Sequence, residues 1–118
     1  MATQKYQRDS HHLLAQAREE LAQGDVRQAS EKGWGAAAQI VKAVAETRGW
    51  EHGGHRQLHN AVQRLQEESS DAEIIRLFQV ANSLHFNFYE DVQESSAVGQ
   101  ALEDVDQFLD KIEILLGV

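Results

Sequence analysis

Apolar residues recur every three or four positions in five stretches of the chain, and short breaks rich in glycine or serine separate these stretches. The breaks lie at 24–25, 49–54, 69–71 and 95–96. Such spacing is the period of a helix with one buried face, whereas no stretch of useful length alternates with the two-residue period of a strand. The pattern predicts an all-α fold, an up-and-down bundle of four to five helices joined by short connections.

Local signals set the expected bounds of these helices. The first four are predicted over residues 10–23, 26–48, 55–68 and 70–92, and the fifth is expected to be capped near Ser95 or Ser96. Gly24 is expected to end the first helix because glycine readily adopts the left-handed conformation found there. Asp25 is expected to cap the second helix with its carboxylate.

The second and fourth helices carry further signals. Small or apolar side chains surround most of the second helix, so we expect it to be the most buried, with a neighbour approaching closely at Gly33. The fourth helix opens with Ser70-Asp-Ala-Glu73, which matches a capping box. Its inward stripe is predicted to include Phe88 and Val92.

Composition narrows the class of protein. The 118 residues allow one ordinary domain over 1–118, in which residues 1–8 are expected to be flexible. The absence of Cys excludes a disulfide scaffold, a thiolate metal site and a Cys nucleophile, and the absence of Pro favours long helices. No apolar run approaches the roughly 18 residues of a membrane span, and the N-terminus has no apolar signal core. We therefore expect a soluble, cytoplasmic protein without a membrane partner.

The net charge of −8 is unevenly distributed. Residues 1–66 hold nine basic and seven acidic side chains and carry +2, whereas residues 67–118 hold two basic and twelve acidic side chains and carry −10. The acidic half argues against broad non-specific binding of nucleic acid, which depends on basic surface. Any contact with a nucleotide or RNA is therefore expected on the first three helices.

The densest polar segment covers residues 48–59 and contains three of the six histidines. His55 and His59 share a helix face, and His52 lies on the loop before them. Imidazoles at this spacing can ligate zinc, with Glu51 as an oxygen ligand, although the pattern is not the His-Glu-x-x-His arrangement of zinc enzymes. A histidine metal-binding protein is therefore one alternative, and a helix start beside a flexible loop is the simpler interpretation, which assigns no metal ligand.

Arg48 and His55 offer a second chemistry. A histidine exchanges protons near neutral pH, and an arginine can stabilise the charge that develops on a phosphate. Together they would suit a metal-independent endoribonuclease of the toxin or defence type, with Arg48 and His55 as catalytic residues.

A polar row on the fourth helix completes the candidate residues. Asn82, His85 and Tyr89 fall at i, i+3 and i+7, on one face. The row is either a half-buried hydrogen-bonded strip between helices or the wall of a pocket, in which case His52 and His59 join it as ligand-binding residues. If the third and fourth helices pack antiparallel, His85 is expected beside the His55 region.

The same helix carries two phenylalanines on different faces. Phe86 and Phe88 cannot both share the face of Leu84. One of them is therefore expected to point into a dimer interface.

Three segments in this order, residues 29–45, 55–65 and 81–90, resemble the HEPN superfamily of small helical domains named for higher eukaryotes and prokaryotes nucleotide-binding. The chain looks most similar to its archaeal-repeat, PaREP-like branch, which also occurs in bacteria. The resemblance covers about residues 10–115. It implies a bundle of four to five helices that is usually a homodimer, often with a minimal nucleotidyltransferase as partner protein or a place in toxin–antitoxin and defence systems.

The catalytic members of that superfamily are metal-independent endoribonucleases with an Arg-x4–6-His motif at the dimer cleft, which Arg48 and His55 match here. Two features depart from the motif. Gly49 follows the arginine where the family usually has Asn, Asp or His, and the pair brackets the second connection rather than lying late in the bundle. His55 instead resembles the histidine that commonly opens the third helix. The sequence therefore favours a HEPN-like dimer that needs no cofactor and binds a partner protein or a nucleotide-containing ligand.

Overall fold

The computed structural model describes residues 2–117 and contains five helices. They are α1 (Ala2–Ala22), α2 (Val26–Arg48), α3 (His55–Ser69), α4 (Glu73–Glu90) and α5 (Ser95–Leu116). The predicted all-α bundle is confirmed, since the described part of the chain holds no strand. Within the same residues, every helix is too short or too polar to cross a membrane.

The bounds of α2 agree with the prediction, and both ends have the expected chemistry. The Asp25 carboxylate accepts a hydrogen bond from the Gln28 backbone N–H at 3.1 Å. Gly24 and Gly49, which flank the helix, have φ of 87° and 71°. Only glycine adopts this left-handed conformation without strain, so these two residues end α1 and α2.

The predicted start of α1 near Ser10 is wrong, because the helix already begins at Ala2. Contacts with α5 extend it: the side chains of Gln7 and His11 both bond to Glu113 Oε2, at 2.6 and 2.9 Å. Residues 2–8, expected to be flexible, are thus helical, and their flexibility stays a prediction. Met1 lies outside the described residues.

The capping box predicted at Ser70 is also wrong. Ser70 has a φ of 57° and terminates α3, donating its N–H to Gln66 O at 2.8 Å. Asp71 supplies the carboxylate at the start of α4, where it accepts a bond from the Glu73 N–H at 3.0 Å. The N-cap of α5 is Glu94, one residue before the predicted serines.

The inward face of α4 differs from the prediction near its end. Val92 follows the helix and is 66% exposed, and Phe88 is only half-buried. Asn87 is fully buried instead. It turns inward because its amide bonds to Ser30 of α2 and to two backbone N–H groups of the next loop.

The direction of the helices alternates at three of the four connections. Side-chain pairs show α1 against α2, α3 against α4 and α4 against α5 running antiparallel. The loop 49–54 instead returns along α2, so that His55 lies beside Trp34 while Glu68 reaches Arg48 at the end of α2. Consequently α2 and α3 run the same way, and both are antiparallel to α4.

Helix α2 occupies the centre and contacts the other four helices. At Gly33 the neighbours approach as predicted: a methyl group there would lie 2.6 Å from Leu102 Cδ2 and 2.9 Å from Leu84 Cδ1. The absence of a side chain at Gly33 thus lets α4 and α5 pack against the backbone of α2. This close packing fixes the position of α4 relative to Trp34, the next residue of α2.

Candidate functional site

Four ring side chains from three helices form what we call the histidine cluster: Trp34, His55, His59 and His85. The ring of His55 stacks on Trp34 with centroids 4.8 Å apart and planes inclined by 19°. His85 lies 5.3 Å from Trp34 and 5.4 Å from His55, and His59 lies 5.3 Å from His55. The predicted proximity of His85 and His55 is therefore confirmed.

The fold explains why these rings meet. His55 and His59 occupy successive turns at the start of α3, and the antiparallel packing of α4 brings His85 opposite them. Trp34 is buried beneath, at 8% exposure, with Phe78 5.4 Å away. The cluster thus has a rigid aromatic floor.

Hydrogen bonds orient two of the imidazoles. The Nε2–H of His55 donates to the amide oxygen of Asn82 at 2.8 Å. The Nδ1–H of His85 donates to the carboxylate of Glu31 at 3.0 Å. In the neutral rings the other nitrogen, Nδ1 of His55 and Nε2 of His85, remains a hydrogen-bond acceptor.

His59 is the cluster member whose acidity is clearly perturbed. Burial, followed by the neighbouring charge of His55, lowers the pKa of His59 below the ordinary 6.5. Desolvation acts this way because it disfavours the charged imidazolium. His59 is therefore neutral at pH 7 and serves as a packing surface, with its ring edge-on to Phe78 at 4.9 Å.

Tyr89, the last residue of the predicted row, joins the cluster from its outer side. Its ring meets His85 edge-on at 5.4 Å and is 64% exposed. The structure thus brings together His55, His59, Asn82, His85 and Tyr89, which sequence reasoning had placed on two separate helix faces.

A cavity of about 420 Å³ opens beside the cluster, between α1, α2 and the start of α3. We call it the α2 groove. Its charged and ring-bearing lining residues are Glu31, Lys32, Trp34, Lys42 and His55, and the rest of the lining consists of Leu13, Gln39, Leu58 and small residues. Lys32 is paired with Glu20 at 3.0 Å, whereas Lys42 makes no ion pair among residues 2–117. The groove therefore contains one ammonium group without an ion pair in the described chain, about two turns along α2 from Trp34.

The first turn of α3 points donors toward the same region. The first hydrogen bond of the helix runs from the Leu58 N–H to Gly54 O at 3.1 Å. The N–H groups of His55, Arg56 and Gln57 precede it and have no partner in the helix. Such groups favour a nearby anion.

The outer side of α4 exposes apolar side chains next to His85. Phe86 is 56% exposed, Tyr89 64% and Val92, just after the helix, 66%. We call these three residues the exposed α4 face. Of Phe86 and Phe88, Phe86 is the exposed one, and its place in a dimer interface stays a prediction.

Arg48 lies apart from the cluster. Its guanidinium pairs with Glu68 and donates to Leu115 O at 3.3 Å, which ties the ends of α2, α3 and α5 together. Glu68 follows His55 by thirteen residues, about 20 Å along a helix. Within a single chain, Arg48 and His55 are therefore too far apart to act on the same reacting group.

His52 is also outside the cluster. Its Nε2 bonds to Glu46 at 2.7 Å and its ring packs edge-on against Tyr6, while Nδ1 is buried without a partner. Glu51 accepts a bond from Gln57. No group of three His, Asp or Glu side chains arranged for a metal ion occurs between residues 2 and 117. The loop metal site considered from the sequence has no support.

Sequence reasoning missed two members of the site. Neither Trp34 nor Glu31 was singled out as a candidate site residue. The two are three residues apart on α2, so they share a face, which was the available signal. Their roles depend on α4 packing against α2, a contact that no local pattern specifies.

Comparison with known proteins agrees with this fold. The sequence model of the archaeal PaREP1/PaREP8 family matches residues 5–109. The crystal structure of a protein from Sulfolobus solfataricus is similar, with a TM-score of 0.79 at 25% identity; the match covers 89% of this chain and 93% of that one. Among curated proteins, none matches the chain.

Proposed function

The chain belongs to the archaeal PaREP1/PaREP8 family, and on that premise we propose that it is a HEPN-like helical dimer whose histidine cluster binds a nucleotide-containing ligand. One observation carries the proposal: His55 is stacked on buried Trp34 with its own ring exposed, at the edge of the α2 groove. The order of the three HEPN-like segments supports the wider relationship.

The exposed face of His55 offers a platform for a base. Proteins that bind unpaired bases stack them on aromatic or histidine rings. Here the platform is already ordered, because Trp34 supports the ring from below and Asn82 fixes its orientation. Little side-chain entropy is then lost when a base stacks on His55.

The α2 groove suits the charged part of such a ligand. Its volume of about 420 Å³ falls within the usual range for small-molecule sites. Lys42 and the free N–H groups at the start of α3 favour a phosphate. This placement agrees with the expectation that nucleotide contacts fall on the first three helices.

A second copy of the chain is the proposed occupant of the exposed α4 face. The resemblance implies a homodimer, and a group of three exposed apolar side chains at the end of α4 and just after it is typical of an interaction surface. Tyr89 belongs to this face and also contacts His85, so the dimer interface would border the binding site.

The resemblance carries further elements of the proposal. A minimal nucleotidyltransferase would be the partner protein, in a cytoplasmic toxin–antitoxin or defence system. Catalysis by Arg48 and His55 is not part of it, because Arg48 is committed to Glu68 and Leu115.

Equilibrium binding of adenosine monophosphate and of a short single-stranded oligoribonucleotide tests the function. Base stacking accounts for about 1–3 kcal/mol per base, so His55→Ala is expected to weaken binding about tenfold or more. His11→Ala on α1 is the matched control and should bind like the wild type.

Equal affinity in the wild type and His55→Ala would contradict the proposal. Cleavage of the oligoribonucleotide in the presence of a chelator, lost in both Arg48→Ala and His55→Ala, would favour the ribonuclease alternative.

A further inference from the structure

A second cavity lies on the other side of α3 from the histidine cluster. It has a volume of about 330 Å³ and is enclosed by Trp50 and Glu51 of the α2–α3 loop and by Gln57, Asn60 and Arg64 of α3. The three α3 residues follow one helix face, at i, i+3 and i+7. We call this cavity the Trp50 pocket, and it shares no polar group with the proposed nucleotide site.

Arg64 supplies the positive charge of the Trp50 pocket, and its guanidinium group is positioned to bind a ligand. Its guanidinium carbon lies 4.2 Å from the centre of the Trp50 ring, a close cation–π contact. Glu68, its natural partner one turn later, is used by Arg48. Within residues 2–117 the Arg64 guanidinium makes no hydrogen bond or ion pair, so its N–H edges are available for a carboxylate.

The other polar groups of the pocket determine which chemical group the second end of a ligand must carry. Gln57 donates to Glu51 Oε2 at 3.0 Å and accepts from the Gly54 N–H at 3.0 Å, which fixes Glu51 at the rim. Glu51 and Arg64 do not pair with each other in the described chain. Asn60 has no protein partner there either. The lining therefore presents a cation and a carboxylate that a ligand could join.

We propose that the Trp50 pocket binds a small amino carboxylate, with the carboxylate of the ligand on Arg64 and its ammonium group on Glu51. A simple anion fits less well, because Glu51 would repel it. The Trp50 ring, whose centre lies 4.2 Å from the guanidinium carbon of Arg64 and 5.9 Å from that of Arg48, borders the chain between the two charges.

A series of amino carboxylates of different length tests which spacing of the ammonium and carboxylate groups fits Glu51 and Arg64. Glycine, 4-aminobutyrate and 6-aminohexanoate are titrated into the protein while the indole N–H of Trp50 is followed by NMR. Hexanoate, which lacks the ammonium group, is the matched probe. We expect one amino carboxylate of the series to saturate in the millimolar range and to bind about tenfold more tightly than hexanoate.

Two variants show which charged end of the ligand binds to which residue. Arg64→Gln should weaken amino carboxylates and hexanoate alike, whereas Glu51→Gln should weaken only the amino carboxylates. Arg76→Gln is the control, since Arg76 is an exposed arginine of α4 that pairs with Glu73. It should leave all affinities unchanged.

The proposal would be overturned by hexanoate binding as tightly as the best amino carboxylate, by unchanged affinities in Arg64→Gln, or by no saturation up to about 50 mM of any probe. Each outcome is independent of nucleotide binding at His55, because the two sites lie on different faces of α3.

Discussion

The ring of His59 lies between the ring of His55 and the apolar Phe78, and this position makes the fold sensitive to acid. Because burial lowers the pKa of His59, the unfolded chain binds a proton near pH 6 that the folded chain does not. The free energy of unfolding should therefore fall as the pH drops below 6.5. Urea unfolding at several pH values measures this loss.

The matched variants for the acid effect are His59→Gln and His12→Gln. In His59→Gln the decrease in stability between about pH 7 and pH 5.5 should be smaller than in the wild type, whatever the stability at pH 7. His12 is exposed, so His12→Gln should retain the wild-type dependence. An identical pH dependence in all three proteins would rule out His59 as the cause.

Asn87 stabilises the turn from α4 into α5. Its amide donates to Ser30 Oγ at 2.9 Å, and its oxygen accepts from the N–H groups of Val92 and Gln93 at 2.8 and 2.7 Å. Asn87→Ala removes these three hydrogen bonds, of which the one to Ser30 is fully buried, and should lower the free energy of unfolding by about 2–3 kcal/mol. Denaturant unfolding checks the value, with the exposed Asn60→Ala expected to change it by less than about 0.5 kcal/mol.

Sequence reasoning found the polar row Asn82, His85 and Tyr89 of α4 but not the structural role of Asn87, which lies outside that row. Asn82 and Asn87 are both asparagines of the same predicted helix, so the sequence pattern does not distinguish their roles. They differ because Asn87 faces α2 and the following loop, whereas Asn82 faces His55. Partners that are distant in sequence decide between a binding residue and a core residue.

At the scale of an element, the lack of a side chain at Gly33 allows α4 and α5 to pack closely against α2. A methyl group at this position would overlap Leu102 and Leu84, both fully buried, so that a shift of either side chain would disturb the surrounding core. Alanine gains about 1 kcal/mol in helix propensity, but overpacking costs about 1–3 kcal/mol. Gly33→Ala should therefore lower stability by about 1 kcal/mol in thermal or urea unfolding.

Gly99 of α5 provides the control for this prediction. A methyl group there would meet Leu21 Cδ2 at 3.5 Å, an ordinary contact. Gly99→Ala should consequently raise stability, by up to about 1 kcal/mol. If both alanine variants were more stable than the wild type, close packing at Gly33 would not be the reason for the glycine.

Helix boundaries divide into those set locally and those set by tertiary contacts. Asp25 and Gly49 cap α2 as predicted, because capping depends on neighbouring backbone groups. The start of α1 depends on Glu113 of α5, and no pattern within 1–22 contains that partner. At Ser70 two local signals competed, and the left-handed end of α3 prevailed over the capping box.

At the scale of the whole molecule, the exposed α4 face predicts self-association. Light scattering should give twice the chain mass of 13.3 kDa for the wild type. Substituting Phe86→Asp and Tyr89→Asp together should give the single mass, because charges would be buried without partners. Ile114→Asp, at a residue of α5 that is 71% exposed, is the control and should remain a dimer. A monomeric wild type would contradict this interface.

The location of the candidate site was only partly predictable at this scale. The α2 groove is formed by residues of the near-neutral half of the chain, whereas His85, Asn82 and Tyr89 come from the acidic half. Arg48 and His55 are close in sequence and separated in space, because loop 49–54 reverses along α2. The course of that loop depends on packing that residue spacing does not encode.

The most direct test of the account is a titration of the wild-type protein with adenosine monophosphate, followed at the histidine ring resonances by NMR. Binding on the Trp34–His55 stack predicts saturable shifts at His55 and His85 and none at His11 and His12. Shifts confined to His11 and His12, or no saturable shift at His55, would contradict it.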